Sequence, residues 1–335
     1  MENTAILICG HGSRDDDAVA EFAALAGRMR ERLTGTPVAY GFLEFARPVI
    51  RDGLDALKAG GATRILAQPA MLFAAGHVKN DLPWEINSFA AENPKISIEY
   101  GRDLAVDLKL LAAARDRITA AERACRTEVP RSETLLVVIG RGTHDPDANS
   151  NVSKVTRMLW EGMGFGWAET GYSGVTAPLT DAALARVARL GFRRIIVFPY
   201  FLFTGVLVKR IYQHTDAAAA ANPGVEFVKA GYLNDHPLVI DALAARIDEM
   251  TIGENLMNCR LCKYREQVIG YEGDVGAVQA GHHLHVRGVG TNAGHQHNGH
   301  SHDHHHAHGD DHDHHHEHDH GHGHEHGHSH AKPRR

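Results

Sequence analysis

Two histidines, His11 and His77, each follow a glycine in a loop that comes after an apolar run. A neutral imidazole, whose pKa is about 6.5 in water, can ligate a divalent metal ion or accept a proton. Two imidazoles that face one cleft would suit a reaction that removes protons and places a metal ion. Two other interpretations stay open at this point: His11 as a structural loop histidine, and the pair as unrelated surface residues.

The loop that holds His11 has neither a GxGxxG nor a Walker A pattern, so nothing in it indicates ATP binding. The residue types therefore indicate metal handling without a nucleotide.

The chain repeats itself at an offset of 130 residues. The matching landmarks are Gly41 with Gly171, Pro48 with Pro178, Pro69 with Pro199, and Val78-Lys79 with Val208-Lys209. The candidate chemical groups do not recur: His11 aligns with Arg141, Glu44 with Gly174, and His77 with Leu207. This asymmetry predicts one working site per chain, in the first half, with the second half as the opposite wall.

Each half alternates short apolar runs with longer amphipathic ones, the pattern of βαβ units. The predicted strands of the first half lie near 4–9, 36–43, 64–71 and 95–100, with helices near 16–33, 47–59, 78–91 and 103–122. Those of the second half lie near 134–139, 167–173, 193–200 and 225–230. The predicted fold class is α/β, with two duplicated doubly wound parallel sheets in segments 1–128 and 129–252. Ligands of such sheets bind beyond the carboxyl ends of the strands, where the first and third strands can be neighbours.

Three motifs in order, Gly10–Arg14, Gly41–Pro48 and Pro69–Pro83, resemble the CbiX family over about residues 4–250. This is the family of the sirohydrochlorin cobaltochelatases, which belong to the class II tetrapyrrole chelatases. The resemblance implies ATP-independent insertion of Co²⁺ into sirohydrochlorin, a step of cobalamin biosynthesis. The family's two histidines fall on His11 and His77, and its acidic position falls on Glu44, which follows the apolar run near residues 36–43. The resemblance implies that Glu44 assists metal delivery or proton removal; the alternative is a structural residue near the start of a helix. Two alternatives remain: the same chemistry with Fe²⁺ or Ni²⁺, and a non-catalytic protein that stores or delivers metal.

The substrate that the resemblance implies carries several carboxylates, and arginine is suited to hold carboxylates by paired hydrogen bonds. We therefore assign Arg141, with Ser13 and Arg14 of the His11 loop, to substrate binding. The alternative for Arg141 is an ion pair with Asp145 or Asp147. His144 aligns with Arg14 at the 130-residue offset and has no predicted role.

The segment 253–281 contains Cys259 and Cys262 in an MxCxxC element, which the long members of this family carry and which is associated in them with an iron–sulfur cluster. Such a cluster normally takes about four cysteine ligands. Cys9 is expected in a buried strand and Cys125 in a linker, so neither is an obvious third ligand. A cluster would require non-cysteine ligands, one of these remote thiols, or two chains, and in the last case a homodimer. A zinc pair or a redox dithiol are the alternatives.

The segment 282–335 contains 22 of the 27 histidines and almost no large apolar residues. Such a tail is expected to be disordered without metal and to store or deliver the substrate ion. An expression tag is the alternative.

Composition argues against several other classes of protein. The net charge of −6 gives no basic footprint for nucleic acid, and no apolar run is long enough to span a membrane. The first residues do not form a signal peptide, and four cysteines that include one CxxC do not form a secreted disulfide framework. A cytoplasmic location is expected.

Overall fold

In the computed structural model, which describes residues 3–277, each half of the chain forms a four-stranded parallel sheet. The first half contains β1 (Thr4–Gly10), α1 (Asp16–Arg32), β2 (Val38–Phe42), α2 (Ile50–Ala59), β3 (Arg64–Pro69), α3 (Leu82–Glu92), β4 (Ser97–Tyr100) and α4 (Leu108–Arg123). The second contains β5 (Thr134–Gly140), α5 (Pro146–Met163), β6 (Trp167–Tyr172), α6 (Thr180–Val187), β7 (Arg194–Pro199), α7 (Val206–Ala221), β8 (Glu226–Lys229) and α8 (Pro237–Ile252). All eight predicted strands are confirmed.

The two sheets have the same topology and the same register. Their strand orders are β2-β1-β3-β4 and β6-β5-β7-β8. Ala5 lies opposite Ile65 in the first sheet, and Leu135 lies opposite Ile195 in the second, again 130 residues on. The predicted duplication of a doubly wound α/β unit is therefore confirmed.

Helices α2 and α4 begin later than the sequence pattern predicts, whereas the predicted start of α3 near 78 falls in a π-helical turn, His77–Asp81, that leads into it. Helix α2 begins at Ile50 and not near 47, because the chain first makes a tight turn after β2 and then pairs Phe42 with Val49. Helix α4 begins at Leu108 and not near 103, because the carboxylate of Asp107 caps it by accepting a hydrogen bond from the amide of Lys109.

One apolar core lies between the two sheets and contains residues from both halves. It includes Leu25 of α1, Leu110 of α4, Val155 of α5 and Leu243 of α8, all fully buried. The outer face of each sheet has its own smaller core, with Leu54 in the first half and Leu184 in the second. The shared core fixes the loops at the carboxyl ends of the strands against one another.

No helix among residues 3–277 is long and apolar enough to cross a membrane. The histidine-rich segment 282–335 lies outside the residues that the structure describes.

Candidate active site in the cleft between the halves

A cavity of about 570 Å³ lies between the halves, at the carboxyl ends of their strands. The first half contributes His11, Arg14, Phe45, Phe73 and His77, and the second half contributes Arg141, Tyr200 and the loop that runs to Val208. This is the edge where doubly wound sheets bind ligands. The volume lies within the range of about 300–1,000 Å³ that is usual for small-molecule sites.

His11 and His77 meet at one wall of this cavity. Strand β1 pairs with β3, with Cys9 opposite Pro69, so the loops that follow these two strands are neighbours. The two Nε2 atoms lie 3.1 Å apart, and the rings meet edge to face. The prediction that the two histidines face one cleft is confirmed.

Hydrogen bonds at the opposite side of each ring set the imidazole tautomers. Nδ1 of His11 lies 2.9 Å from the carbonyl oxygen of Gly12, and Nδ1 of His77 lies 2.6 Å from Oδ2 of Asp81. Both partners accept hydrogen bonds, so each Nδ1 is the protonated nitrogen. The two Nε2 lone pairs therefore point toward the same space, an arrangement that a cation between them would stabilise.

Glu44 completes a group of three possible metal ligands. Its Oε1 lies 3.1 Å from Nε2 of His11, and one ligand atom from each of Glu44, His11 and His77 lies within 4.8 Å of the others. Glu44 is six residues before α2, so it is not a residue of a helix start. Imidazole and carboxylate together suit a divalent transition-metal ion.

A close backbone approach places Glu44 beside His11. The amide of Glu44 donates a hydrogen bond to the carbonyl oxygen of His11 at 3.0 Å. Gly12 has a φ of +96°, and a Cβ there would lie 1.7 Å from the carbonyl oxygen of Glu44. Only glycine permits both this backbone conformation and this contact.

The electrostatic environment keeps His11 neutral. Burial, the neighbouring His77 and the guanidinium of Arg141 lower the pKa of His11 to about 3. Burial has the opposite effect on the carboxyl of Glu44 and raises its pKa above the usual value. The lone pair of His11 is thus available to a metal ion at neutral pH.

Asp81 is a site residue for which the sequence analysis assigned no role. Residues His77–Asp81 form a single π-helical turn that leads into α3. The wide turn lies next to Pro83, which has no N–H to donate, so one helical hydrogen bond is absent there in any case. The side chain of Asp81 is buried, and its carboxylate fixes the ring of His77 from behind. The spacing of a histidine and an aspartate four residues apart was the available signal.

We expect Asp81→Asn to weaken binding of Co²⁺ at the cleft by about 10–100-fold, because a neutral amide holds the Nδ1–H of His77 less firmly. Calorimetric titration would measure the affinity of the cleft for Co²⁺. The signal of a His11→Ala/His77→Ala variant that keeps the histidine-rich segment 282–335 would be subtracted. Asp216→Asn, an exposed site on α7, is the matched control and should bind normally. Equal affinity in the Asp81 and Asp216 variants would contradict the orienting role.

The three residues assigned to substrate binding all line the cavity, but they differ in how free their side chains are to contact a ligand. Arg141 and Arg14 both line the cavity, and the guanidinium of Arg14 lies 4.7 Å from the centre of the Phe45 ring. Ser13 also lines it, although its hydroxyl accepts a hydrogen bond from the amide of Asp15. His144 is exposed and is not among the residues that line the cavity.

The alternative of an ion pair between Arg141 and Asp145 or Asp147 is wrong, because both carboxylates pair with Lys79. Nζ of Lys79 lies 2.7 Å from Asp145 and 3.5 Å from Asp147. The same offset relates this contact to Lys209 with Asp15, 2.6 Å apart, so each half reaches into the other. Sequence reasoning missed this pair of ionic contacts, although Lys79 and Lys209 match in the repeat. Arg141 is left facing the cleft, where desolvation lowers the pKa of its guanidinium and the nearby carboxylate of Glu44 opposes that shift.

The cysteine pair lies in a short 3₁₀ turn, Cys259–Leu261, after α8. Among residues 3–277, the only group of three or more possible metal ligands is that of the cleft, so no third ligand lies beside Cys259 and Cys262. Cys9 is buried in β1, and Cys125 follows α4. Residues 3–277 of one chain therefore do not by themselves fit an iron–sulfur cluster. A cluster shared by two chains stays a prediction.

Known proteins resemble this chain along most of its described length. The CbiX family profile matches residues 5–121 and again 135–250. The chain is 37% identical over 262 residues to a sirohydrochlorin cobaltochelatase of Priestia megaterium, a match that covers 78% of this chain and 84% of that relative. It is 29% identical over 233 residues to a sirohydrochlorin ferrochelatase of the same organism, covering 69% and 85%.

A solved structure agrees with this assignment. The sirohydrochlorin chelatase SirB of Bacillus subtilis subspecies spizizenii, in complex with cobalt, matches with a TM-score of 0.64 at 29% identity. The match covers 76% of this chain and 97% of that one. The duplicated sheets, the metal-ligand group in the cleft and the similarity over both halves agree: the chain belongs to the CbiX family and is a metal chelatase of the sirohydrochlorin chelatase type.

Proposed function

We propose that this protein inserts Co²⁺ into sirohydrochlorin without ATP, with His11 and His77 as ligands of the incoming ion. The observation that carries the proposal is the convergence of the two Nε2 lone pairs and the Glu44 carboxylate at the wall of a cleft. The cobaltochelatase relative supports cobalt as the metal.

Metal insertion requires two pyrrole nitrogens of the macrocycle to lose their protons. His11, with a pKa of about 3, suits the role of ligand better than that of proton acceptor. Glu44 has its pKa raised by burial, which brings a carboxylate toward the range of an effective general base. We therefore assign proton removal to Glu44 and metal ligation to both histidines, in place of the expectation that the histidines also act as bases.

Two arginines, one from each half of the chain, hold the substrate. Arg141 faces the cleft and Arg14 lines its edge, so the two guanidinium groups can pair with carboxylates of the macrocycle. Such contacts would orient the ring so that its nitrogens face the ion, which is catalysis by positioning.

The second candidate is the same reaction with Fe²⁺, which the ferrochelatase relative favours. The cleft ligands do not discriminate strongly, because imidazole and carboxylate accept cobalt, nickel and iron alike. The cleft therefore supports the chemistry more directly than the choice of ion.

The test is a side-by-side measurement of initial insertion rates with Co²⁺, Ni²⁺ and Fe²⁺ under anaerobic conditions. The rate is monitored by the change in absorbance of sirohydrochlorin. We expect insertion to be fastest with Co²⁺. A faster rate with Fe²⁺ would establish the second candidate. Metal binding with no change in macrocycle absorbance, for all three ions, would instead indicate a metal store.

A further inference from the structure

The turn after β2 carries an aromatic residue in a backbone conformation that is unfavourable for it. Phe45 has a φ of +61°, and the amide of Ala46 donates a hydrogen bond to the carbonyl oxygen of Glu44 at 2.8 Å. A bond between residues two apart around a positive φ is a γ-turn of the rare, strained kind. Such a conformation is unfavourable for a residue with a side chain, and it persists only where the surrounding structure enforces it.

The second half contains the same turn with a different side chain at its apex. Val175 has a φ of +66°, and the amide of Thr176 donates to the carbonyl oxygen of Gly174 at 2.7 Å. The strained backbone therefore belongs to the duplicated fold, and the phenyl ring belongs to the first half alone. The ring thus shares the asymmetry of the three possible metal ligands, which also occur only in the first half.

The two apex side chains have different surroundings. Phe45 is partly buried and lines the cavity, with its ring centre 6.3 Å from that of His11. The guanidinium of Arg14 lies over one face of the ring, 4.7 Å from its centre. Val175 is 56% exposed and does not line the cavity. Only the aromatic apex is directed to the site where the macrocycle would enter.

We propose that Phe45 is a stacking platform that contacts one face of the tetrapyrrole and sets its plane relative to the metal ion. This rests on the proposed function. A planar conjugated ring gains on the order of 1–3 kcal/mol from stacking on an aromatic side chain, as nucleobases do. Because Phe45 directly follows Glu44, one turn fixes both the plane of the ring and a carboxylate beside the ion.

The first experiment measures the affinity of the full-length chain for metal-free sirohydrochlorin by absorbance titration. Phe45→Ala should raise the Kd by about 5–100-fold, the equivalent of the stacking energy. Phe45→Tyr, which keeps the aromatic face, should stay within about 3-fold of the unaltered chain. Val175→Ala, at the matching turn, should bind normally. In turnover, Phe45→Ala should raise the KM for sirohydrochlorin more than it lowers kcat.

A second variant distinguishes the loss of contact between the Phe45 ring and the macrocycle from a change in the geometry of the turn after β2. Phe45→Gly removes the ring and also relieves the positive φ, so the turn and Glu44 keep their places. Phe45→Gly and Phe45→Ala should therefore weaken sirohydrochlorin binding equally, and both should keep the normal KM for Co²⁺. If Phe45→Gly binds sirohydrochlorin normally, or if Phe45→Ala raises the KM for Co²⁺ in parallel, the residue supports the turn and the platform is wrong.

The failure of the platform and that of the proposed function give different results. If the unaltered chain does not bind sirohydrochlorin, the proposed function fails and the platform fails with it. If the unaltered chain binds sirohydrochlorin and Phe45→Ala binds it equally well, only the platform is overturned.

Discussion

Replacement of His11 or His77 by alanine should reduce metal insertion by on the order of 100-fold or more, with the fold intact. Each substitution removes one of the two Nε2 lone pairs that converge 3.1 Å apart and leaves the ion with a single imidazole ligand beside Glu44. The loss should therefore persist at saturating metal. It should be measured as the initial rate of the sirohydrochlorin absorbance change with excess Co²⁺.

The stability of these variants should change little. The side chains of His11 and His77 are 29% and 30% exposed at the cavity wall, so their truncation opens no void in the core. His144→Ala is the matched control, since this residue is exposed in the corresponding loop of the second half. Full insertion activity in both cleft variants would refute the assignment of the site. A cooperative thermal transition near that of the unaltered chain would show that any loss of activity is local.

Lys79→Met should lower the free energy of unfolding by about 3–5 kcal/mol, the largest effect on stability that we expect. The side chains of Lys79 and Asp145 are each 2% exposed, and Asp147 shares the same lysine. Removal of the ammonium leaves two buried carboxylates without their ion-pair partner. The measurement is chemical denaturation, monitored by circular dichroism.

The repeat supplies the matched control for this substitution. Lys209 makes the corresponding contacts with Asp15 and Asp17, but it is 49% exposed and solvent screens the pairs. Lys209→Met should therefore change stability little. A Lys79→Met/Asp145→Asn variant should recover part of the loss, because one stranded charge is gone. Equal losses of unfolding free energy in the Lys79 and Lys209 variants would show that burial does not determine how much these ion pairs contribute to stability.

The elements of the fold were predictable because apolar periodicity is a local property of the chain. Strands such as β1 and β5 are continuous buried runs, and their loops recur at a constant offset, so the duplication was visible without coordinates. The errors at the starts of α2 and α4 come from turns and caps, which depend on single hydrogen bonds and not on periodicity.

The site was only partly predictable, because some of its contacts depend on tertiary packing and not on local sequence patterns. The meeting of His11 and His77 follows from strand order, which the fold class implies. The contact of Lys79 with Asp145 spans 66 residues and depends on how one sheet docks against the other. No local pattern encodes that docking, so the sequence did not indicate Lys79 as the partner of Asp145 and suggested Arg141 only as an alternative.

The amino-acid sequence by itself determined the duplicated α/β architecture and the half that contains the candidate ligands, because periodicity and repeated motifs are written along the chain. Only the tertiary structure decided which nitrogens of His11 and His77 converge, that Asp81 fixes one of them, and that Phe45 lines the cleft while Val175 does not. Some of these features are contacts between segments that are distant in sequence. The others depend on the backbone geometry of short turns. Their geometry follows from the packing of two sheets around one shared core.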